Sequence, residues 1–494
     1  MEFWSSQKLE DEIMKETRNL SLVMDFYELT MSQCYFNLDK NREVVFDLFY
    51  RHNPEDGGLC IFAGLEQVIE YVKNLHFEKL EIEYLRSLNQ FTDEFLEYLS
   101  NVRFTGDIYA IPEGTPVFPY EPLVRVKAPI IEAQLVETAL LLALNHQTLI
   151  ATKARRIVQA SDGRAVMEFG ARRAHNFDAA IYGARAAYIV GCAGSATTYA
   201  GKEYGLPVLG TMAHSFIQSF DSEYDAFLYY AKTYPESCTL LIDTYSTLKS
   251  GIKNAIKVAK DYLEPNGYRL KGVRIDSGDM AYLSKKVRKE LDAAGLEDCQ
   301  IVVSNSLDEY VITSLIHQQG AKIDSFGVGE NLICSKNSPV FGGVYKLVAI
   351  EKDGKIIPKI KISDNVEKVT NPGLKKLYRI IDKETNMAQA DLMALWDEEL
   401  DESKDLTIYH PMSRWKYKVI PAGSYILKEL LVPIFIRGEQ VYEEPTLDEI
   451  RAYCAEQLEY IWEEIKRFEY PQEYYVDLTE KLLTLKLEML NEYK

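Results

Sequence analysis

The sequence is poor in the residues and segments that build disulfide frameworks, zinc sites and membrane spans. Its 494 residues include only seven cysteines and seven histidines, and neither residue type shows Cys-x-x-Cys or other zinc-ligand spacing. An odd number of scattered cysteines is typical of reduced thiols in a cytosol. No apolar run approaches the roughly 20 residues that a membrane helix requires, and we see no secretory signal. These absences predict a cytoplasmic protein without a membrane or zinc site.

Acidic residues outnumber basic ones. The chain has 56 Lys and Arg against 75 Asp and Glu, which gives a formal net charge of −19. A surface of this sign repels polyanions, so the composition argues against a nucleic-acid or anionic-membrane partner. A small anion such as a phosphate ester remains compatible, because a few arginines and helix N-termini can bind one locally.

A strand–turn–helix unit recurs in the middle of the chain. Apolar runs predict strands that end near residues 210, 243, 276, 304 and 327, and each run is followed by polar or glycine residues. Alternating β and α elements indicate a parallel sheet. The polar residues collected at the strand ends predict an α/β fold with an irregular βα barrel-like domain. A doubly wound open sheet is the alternative architecture.

The length allows two or three domains, and the flanking regions differ from the middle. We expect residues 1–130 to form an N-terminal α+β domain and residues 131–345 the barrel-like catalytic domain. Residues 346–494 should return to the α+β domain, an open-faced sandwich, through a hairpin at Asp353-Gly354, and end in a helical C-terminal region. In that region four apolar residues recur at helical spacing, which predicts a core or subunit-contact stripe: Leu478, Leu482, Leu485 and Met489.

The most informative segment is residues 210–216, with the sequence GTMAHSF. It follows a short apolar run with proline, which reads as a strand, and it precedes a predicted helix. His214 is thereby placed beside the hydroxyls of Thr211 and Ser215 at the carboxyl end of a strand. Ligands of α/β folds bind at that edge, so His214 is a candidate functional residue.

The segment 274–279, RIDSGD, sets two carboxylates three residues apart at a helix start. Helix capping is the ordinary explanation for either Asp276 or Asp279 alone. However, the adjacent Arg274 and the helix N-terminus both attract anions. Two acids at such a corner can hold ribose hydroxyls or Mg²⁺. The segment therefore suits a ligand that carries hydroxyls, a metal and phosphates together.

Two other segments suggest a ligand site. Glycines 327 and 329 leave backbone N–H groups free to approach a phosphate, although turn formation alone also explains them. In residues 168–174, EFGARRA, arginines lie beside Phe169. An aromatic ring and a guanidinium suit a flat ligand with a carboxylate, whereas a surface salt bridge is the alternative for the arginines.

Together these segments resemble nicotinate phosphoribosyltransferases. The matching pieces occur in order along the chain: DFYELTM at 25–31, EFGARRA at 168–174, GTMAHSF at 210–216, VRIDSGD at 273–279, SN at 304–305, FGVG at 326–329, GGVYKL at 342–347 and NPG at 371–373. The resemblance implies an enzyme that transfers the 5-phosphoribosyl group from phosphoribosyl pyrophosphate to nicotinate. Nicotinate mononucleotide and pyrophosphate are the products, on the salvage route to NAD. It also implies coupling to ATP hydrolysis through a phosphorylated histidine, and Mg²⁺ bound through pyrophosphate.

The resemblance assigns residues to these roles. His214 is the implied phosphohistidine, with Asp276 and Asp279 as the other catalytic residues. The implied nicotinate pocket contains Tyr27, Phe169, Arg172, Thr211, Ser215 and Arg274. The implied phosphoribosyl pyrophosphate site contains Ser277, Gly278, Asn305, Gly327, Gly329 and position 330. Tyr27 would come from a neighbouring subunit, which implies a homodimer with shared active sites.

One residue departs from the family pattern. Many members carry threonine after the Gly-x-Gly, where this chain has Glu330. Because a carboxylate repels phosphate, we expect Glu330 to point away from the ligand or position 330 to make no contact with it.

Three alternatives stay open on the sequence alone. A nicotinamide phosphoribosyltransferase would share the architecture but needs no arginine for an uncharged amide. Quinolinate phosphoribosyltransferases are a more distant possibility, since that family is shorter and lacks the segment around His214. A non-catalytic protein that binds phosphoribosyl ligands is the alternative of another class.

Overall fold

The structure is a computed structural model that describes residues 18–492. It is a mixed α/β fold in which the strands form three large sheets and one short two-stranded ladder. The strands are β1 Glu43–Phe49, β2 Cys60–Ile61, β3 Asp107–Ala110, β4 Pro116–Val117, β5 Val124–Pro129, β6 Ala165–Glu168, β7 Gly194–Ser195, β8 Thr239–Leu241, β9 Gly272–Ile275, β10 Gln300–Ser304, β11 Ser325–Val328, β12 Val344–Lys352, β13 Lys355–Pro358, β14 Lys375–Asp382, β15 Ala388–Leu395, β16 Leu406–His410, β17 Ser413–Ile420, β18 Tyr425–Glu429, β19 Val432–Ile436, β20 Glu439–Gln440 and β21 Val476–Leu478.

Helices connect and cover these sheets. The α-helices are Phe26–Asp39, Leu65–Lys73, Lys79–Ser87, Asp93–Ser100, Ile130–Leu135, Glu137–Ala160, Phe177–Ile189, Thr198–Tyr204, His214–Gln218, Glu223–Thr233, Ile252–Val258, Met280–Ala293, Glu309–Thr313, Glu330–Ile333, Leu447–Glu459 and Glu480–Glu492. Among residues 18–492, none of the helices is long and apolar enough to span a membrane.

The middle of the chain forms a parallel sheet, as the alternating pattern predicts. Its order is β7-β6-β11-β10-β9-β8, and every pair in it is parallel. The strands are short runs of buried apolar residues, which is typical of a sheet covered on both faces. The predicted strand at residues 206–209 is wrong as a full strand, because it makes only a single parallel bridge between Val208 and Ser195. Pro207 lacks the N–H that a regular ladder needs.

Parallel pairing places all the carboxyl ends of this sheet along one edge. The strand β11 pairs with β6, so the last strand of this sheet in the sequence lies beside the first. The register sets Ser304 opposite Gly327 and Val328 opposite Glu168. Residues that follow different strands in the sequence are therefore neighbours in space. The candidate site forms at this edge.

The other two large sheets are built from the two ends of the chain. An antiparallel sheet with the order β13-β12-β1-β5-β3-β19-β20 combines early strands with strands that begin at Val344. The predicted hairpin at 353–354 is confirmed: it joins β12 to β13, and Asp353 and Gly354 have φ of 53° and 72°. Such paired positive φ values match the twist of the flanking strands. The third sheet has the order β17-β16-β21-β15-β14-β18.

The expectation of a helical C-terminal region needs correction. Strands β18 to β21 lie within the last 70 residues, between or before the helices Leu447–Glu459 and Glu480–Glu492. Leu478 belongs to β21, where it pairs with Met393 and Tyr409, and not to the helix that contains Leu482. Leu478 and Leu482 are both buried, so the apolar stripe spans a strand end and a helix start.

A buried network of charges ties the long helix Glu137–Ala160 to two other segments. Lys153 Nζ lies 2.7 Å from Glu55 Oε1 and 2.8 Å from Glu309 Oε2, and Arg156 Nε lies 2.7 Å from Glu309 Oε1. All four side chains are less than a tenth exposed. Because each carboxylate has a cation beside it, the network avoids the cost of an uncompensated buried charge.

Candidate functional site

The guanidinium of Arg274 is the centre of the candidate site. Arg274 lies in β9, and its side chain reaches the end of the neighbouring strand β10 and the segment around Thr211. Its Nε donates to Ser304 Oγ at 2.9 Å, its Nη1 donates to Thr211 Oγ1 at 3.1 Å, and its Nη2 donates to Asp276 Oδ1 at 2.9 Å. These bonds bring together residues from three segments that are 30 or more positions apart in the sequence.

Asp276 follows β9 and connects Arg274 to the histidine. Its Oδ1 also accepts a short hydrogen bond from Ser304 Oγ, and its Oδ2 lies 3.8 Å from His214 Nε2. Burial alone would raise the pKa of this carboxyl. The hydrogen bonds from Ser304 and Arg274, and the Arg274 charge, outweigh burial and hold the pKa below its usual value. Asp276 is therefore ionised at neutral pH.

His214 is the first residue of the short helix His214–Gln218. Its Nδ1 lies 3.0 Å from the hydroxyl of Thr244, which follows β8. That contact engages Nδ1 and leaves Nε2 facing the Asp276 carboxylate. The side chain is 39% exposed, so the imidazole is held on one side and accessible on the other.

Phe169 lies in the turn after β6 and packs directly on the glycine of the neighbouring strand. Its N–H donates to the Val328 carbonyl at 2.8 Å, and Arg274 Cζ lies 5.8 Å from its ring centroid. A Cβ on Gly327 would lie 2.5 Å from Phe169 Cδ2. Position 327 is therefore glycine because the phenylalanine ring occupies the space of a side chain.

The buried carboxylate of Glu168 holds the same turn through two hydrogen bonds. It is fully buried, accepts a hydrogen bond at Oε1 from the Gly170 N–H and accepts one at Oε2 from Ser195 Oγ at 2.5 Å. Burial raises its pKa, and these two hydrogen bonds oppose the rise. The turn that carries Phe169 and Arg172 is thus fixed to the strand end.

Arg172 and Glu330 follow the neighbouring strands β6 and β11. Arg172 is exposed in the single helical turn Ala171–Arg173, and within residues 18–492 it has no hydrogen-bond or ion-pair partner. Glu330 accepts from Lys336 Nζ at 2.7 Å and lies 4.0 Å from Arg173 Nε. The hydrogen bond from Lys336 and its charge lower the pKa of this carboxyl. Lys336 therefore neutralises the carboxylate that departs from the family pattern.

The loop after β9 leads into the helix Met280–Ala293. Asp279 is the N-cap of that helix and accepts from the Tyr282 N–H at 2.9 Å, so it has the capping role that was the ordinary explanation. Gly278 has a φ of 84°, which favours glycine in this turn. Ser277 Oγ donates to Asp243 Oδ2 at 2.6 Å.

The remaining predicted residues are near strand ends but outside the hydrogen-bonded cluster. Asn305 directly follows β10 with a φ of 89°, an unusual conformation for a side-chain-bearing residue. Ser215 is exposed in the first turn after His214, and no hydrogen bond of its hydroxyl occurs within the described residues. Gly329 precedes the short helix Glu330–Ile333.

Tyr27 is not brought to this cluster within one chain. It lies in the helix Phe26–Asp39 and is 44% exposed. Burial of its ring and the nearby Glu137 and Glu28 carboxylates raise its pKa. No contact with the residues around Arg274 occurs within residues 18–492 of the chain, so its role in the nicotinate pocket stays a prediction.

The structure adds three side chains that the sequence did not assign to the site: Asp243, Thr244 and Ser304. Asp243 Oδ2 accepts from the Asp276 N–H at 3.0 Å, while its Oδ1 is buried without a hydrogen-bond partner. Each of the three ends or follows a predicted strand. A polar side chain at a strand end was the sequence signal that could have identified these residues. Only the register of the sheet shows which of these side chains contact one another.

Comparison with protein families gives a consistent result over most of the chain. The model described as the nicotinate phosphoribosyltransferase (NAPRTase) family matches residues 164–397. The N-terminal and C-terminal domain models of nicotinate phosphoribosyltransferase match residues 22–145 and 374–486.

Individual relatives agree with the family models. The chain is 45% identical over 479 residues to the nicotinate phosphoribosyltransferase of Bacillus subtilis (strain 168), covering 96% of each chain. It is 30% identical to the human nicotinate phosphoribosyltransferase, covering 94% of this chain and 95% of that one. The crystal structure of human nicotinic acid phosphoribosyltransferase superposes with a TM-score of 0.83 at 27% identity, covering 95% of this chain and all of that one.

Proposed function

The chain belongs to the nicotinate phosphoribosyltransferase family, and from this premise we propose that it transfers the 5-phosphoribosyl group of phosphoribosyl pyrophosphate to nicotinate in NAD biosynthesis. The observation that carries the proposal is the cluster of Arg274, Asp276 and His214 beside Phe169 at the carboxyl edge of the parallel sheet. Ligands of such folds bind at this edge. The cluster combines an aromatic face, cations and carboxylates, which are the groups that these substrates need.

Nicotinate would lie against Phe169, between the two arginines. Its ring suits the aromatic face, and its carboxylate suits a guanidinium that is not already paired. Arg172 meets that condition within the described residues, and Thr211 and Ser215 would supply hydroxyls to the same pocket. A second copy of the chain would contribute Tyr27, whose ring is partly exposed. The proposal therefore includes a homodimer with shared active sites.

Phosphoribosyl pyrophosphate would lie on the other side of Arg274. The N-terminus of the 14-residue helix Met280–Ala293 and the loop at Ser277 and Gly278 offer backbone N–H groups to an anion. Asn305, Gly327 and Gly329 border the same edge. Asp276 would hold ribose hydroxyls or stabilise positive charge on the sugar. Asp279 would act mainly through the helix start that it caps.

The donor set fits Mg²⁺ bound through pyrophosphate. Within residues 18–492 no group of three or more His, Cys, Asp or Glu is arranged to hold a metal ion by itself. Mg²⁺ commonly keeps several waters and binds one or two carboxylates plus substrate phosphates. The unpartnered Oδ1 of Asp243 and the Oδ2 of Asp276 are the oxygens available for that purpose. When bound, the ion would neutralise charge on the leaving pyrophosphate.

We further propose that ATP phosphorylates His214. In this step the γ-phosphoryl group passes from ATP to an imidazole nitrogen and ADP leaves. Because Thr244 engages Nδ1, Nε2 is the nitrogen available to accept the group. The added negative charge would then change the contacts of the surrounding loops and favour closure over the substrates.

The transfer requires the two substrates to be positioned against each other and does not require a covalent intermediate between the ribose and the protein. Pyrophosphate leaves C1 of the ribose while the pyridine nitrogen attacks, and positive charge builds on the sugar ring. A site that holds the nitrogen in line with C1 and stabilises both charges accounts for most of the acceleration. Asp276 lies beside Arg274 and His214 with its charge already compensated, so it is suited to electrostatic support rather than to attack on C1.

The same proposal covers the architecture and the location of the protein. The parallel strands follow one another around the sheet, with β11 beside β6, and this order supports an irregular barrel-like domain. The domain boundaries at 130 and 345, the open-faced sandwich and a cytoplasmic location are proposed with it.

The experiment is an assay of nicotinate mononucleotide formation from nicotinate, phosphoribosyl pyrophosphate and Mg²⁺, with and without ATP. Nicotinamide in place of nicotinate is the control. We expect product from nicotinate only, with an increase on addition of ATP. Product from nicotinamide instead would identify the related transferase. Absence of product with tight substrate binding would identify a non-catalytic binding protein.

A further inference from the structure

We propose that Ser304 is a positioning residue that fixes Arg274 and Asp276 against each other and so aligns the nicotinate side of the site with the phosphoribosyl side. This inference rests on the proposed function. Ser304 ends β10 and is 3% exposed. It does not face solvent, and its role would be exerted through the two side chains that it touches.

The three side chains form a closed ring of hydrogen bonds. Ser304 Oγ accepts from Arg274 Nε at 2.9 Å and donates to Asp276 Oδ1 in a short hydrogen bond. Arg274 Nη2 donates to that same oxygen at 2.9 Å. Removing the hydroxyl would leave Arg274 and Asp276 joined directly by one hydrogen bond, so their relative orientation would be less constrained.

The direction of these bonds is fixed by chemistry. A guanidinium only donates, and an ionised carboxylate only accepts. A hydroxyl does both, so it is the group that can link Nε to the carboxylate in this arrangement. Because both partners are charged, each bond is stronger than one between neutral groups.

The backbone holds the hydroxyl in place. Ser304 pairs with Gly327 in the parallel register, and a Cβ on Gly327 would lie only 3.3 Å from Ser304 Cβ. The next two residues, Asn305 and Ser306, have positive φ values of 89° and 54° and end the strand at once. A buried residue between a close strand neighbour and a constrained turn has little freedom to shift.

The ring lies between the two proposed halves of the site. Arg274 reaches Thr211 and lies near the Phe169 ring, on the nicotinate side. Asp276 reaches His214 and, through its backbone N–H, Asp243. The reaction joins one substrate to the other, so a small rotation between the halves misaligns the attacking nitrogen and C1. Such misalignment lowers kcat more than it weakens the binding of either substrate.

The test compares S304A and S304C with the wild-type enzyme and with S284A. Cysteine keeps the shape of serine but hydrogen-bonds weakly. Ser284 is a matched control because it is also buried, and its hydroxyl donates to Ala281 and accepts from Lys322 N–H in a helix that does not join the ring. Steady-state rates are measured with each substrate varied, together with the thermal midpoint of each variant.

We expect kcat to fall about 10- to 100-fold in both S304A and S304C, the loss typical of a bond to a charged group, while both KM values stay within about threefold. S284A should lower the thermal midpoint without this change in kcat. A wild-type kcat in S304A or in S304C would overturn the inference. So would a variant S284A in which kcat and the thermal midpoint fall as much as they do in S304A. Failure of the proposed function is distinct, because the wild-type enzyme would then form no product.

Discussion

Replacing Gly327 with alanine tests whether the Phe169 ring is held in place for nicotinate. The new Cβ would lie 2.5 Å from Phe169 Cδ2 and 2.8 Å from Cε2. The backbone has little room to move, because Gly327 pairs with both Ser304 and Met167 in the middle of the parallel sheet. The phenylalanine ring must therefore turn away.

The size of the effect follows from the displaced contacts. Overpacking of this kind costs about 1–3 kcal/mol of stability. The ring also leaves its place beside Arg274, whose Cζ lies 5.8 Å from the ring centroid. Loss of aromatic stacking against the proposed nicotinate ring costs about 0.5–1.5 kcal/mol, which corresponds to roughly a 2- to 12-fold rise in the KM for nicotinate.

The assay varies nicotinate and phosphoribosyl pyrophosphate separately. We expect the KM for nicotinate to rise and that for phosphoribosyl pyrophosphate to stay within about threefold. Combination with Phe169→Ala should give a non-additive effect, since both changes act through one ring. Gly342→Ala is the control, because a Cβ there meets nothing within 4 Å. Equal rises in both KM values, or additive effects in the double variant, would refute the reasoning.

Substitutions at four other positions should change ATP coupling, nicotinate binding or stability. His214→Ala should abolish stimulation by ATP while a slower transfer persists; equal loss of both activities in a folded variant would contradict this role. Arg172→Ala should raise the KM for nicotinate about tenfold or more and leave that for phosphoribosyl pyrophosphate nearly unchanged, because a charge-assisted bond to the carboxylate is lost. Lys153→Met should destabilise the fold by about 3–5 kcal/mol in denaturant titrations, because buried Glu55 loses its close cation and buried Glu309 keeps only Arg156, whereas Lys79→Met, in an exposed pair with Glu83, should have little effect. Burial raises the pKa of Asp477 from 3.8 to about 6. The Asp477 carboxyl therefore binds its proton more tightly in the folded protein than in the unfolded chain. The stability that it contributes is complete below about pH 4 and is lost as the pH rises through about 6. Thermal midpoints should show that Asp477→Asn removes this part of the pH dependence.

The sequence predicts the central strands well because the signals are local. Runs such as Gln300–Ser304 are apolar and β-branched, and a polar residue or glycine ends each one. The hairpin at Asp353-Gly354 is equally local, since two residues with positive φ determine the turn. Alternating strands and helices then require a parallel sheet, and parallel pairing places the strand ends together.

Other features depend on contacts between distant segments. The helical spacing of Leu478 continues into Glu480–Glu492, yet pairing with β15 and β16 makes residues 476–478 a strand. The prediction of a strand at 206–209 fails for a related reason, because only Val208 finds a partner. Tertiary pairing overrides local periodicity in both cases.

The candidate site likewise contains some residues that local sequence identifies and others that only contacts between distant segments identify. Polar residues at strand ends identify His214, Asp276 and Arg274 as candidates from the sequence. The ring through Ser304 requires the register of β9, β10 and β11, which no local pattern contains. For Asp279 the local signal of a helix cap describes what the side chain does, and a further role stays a prediction.

The two arginines of the proposed nicotinate pocket differ in how many of their N–H groups are free to bind a substrate. Arg274 already donates through Nε, Nη1 and Nη2, and Asp276 compensates its charge. A bidentate grip on a substrate carboxylate needs two adjacent N–H groups, so Arg274 would have to break the ring with Ser304 and Asp276 to provide them. Arg172 is exposed and has no partner within the described residues. In the proposed pocket, the discrimination between an acid and an amide would therefore fall to Arg172, while Arg274 would hold the shape of the pocket. In a chain with a net charge of −19, the positive charge proposed to bind the nicotinate carboxylate is local to Arg172 and is not a general property of the surface.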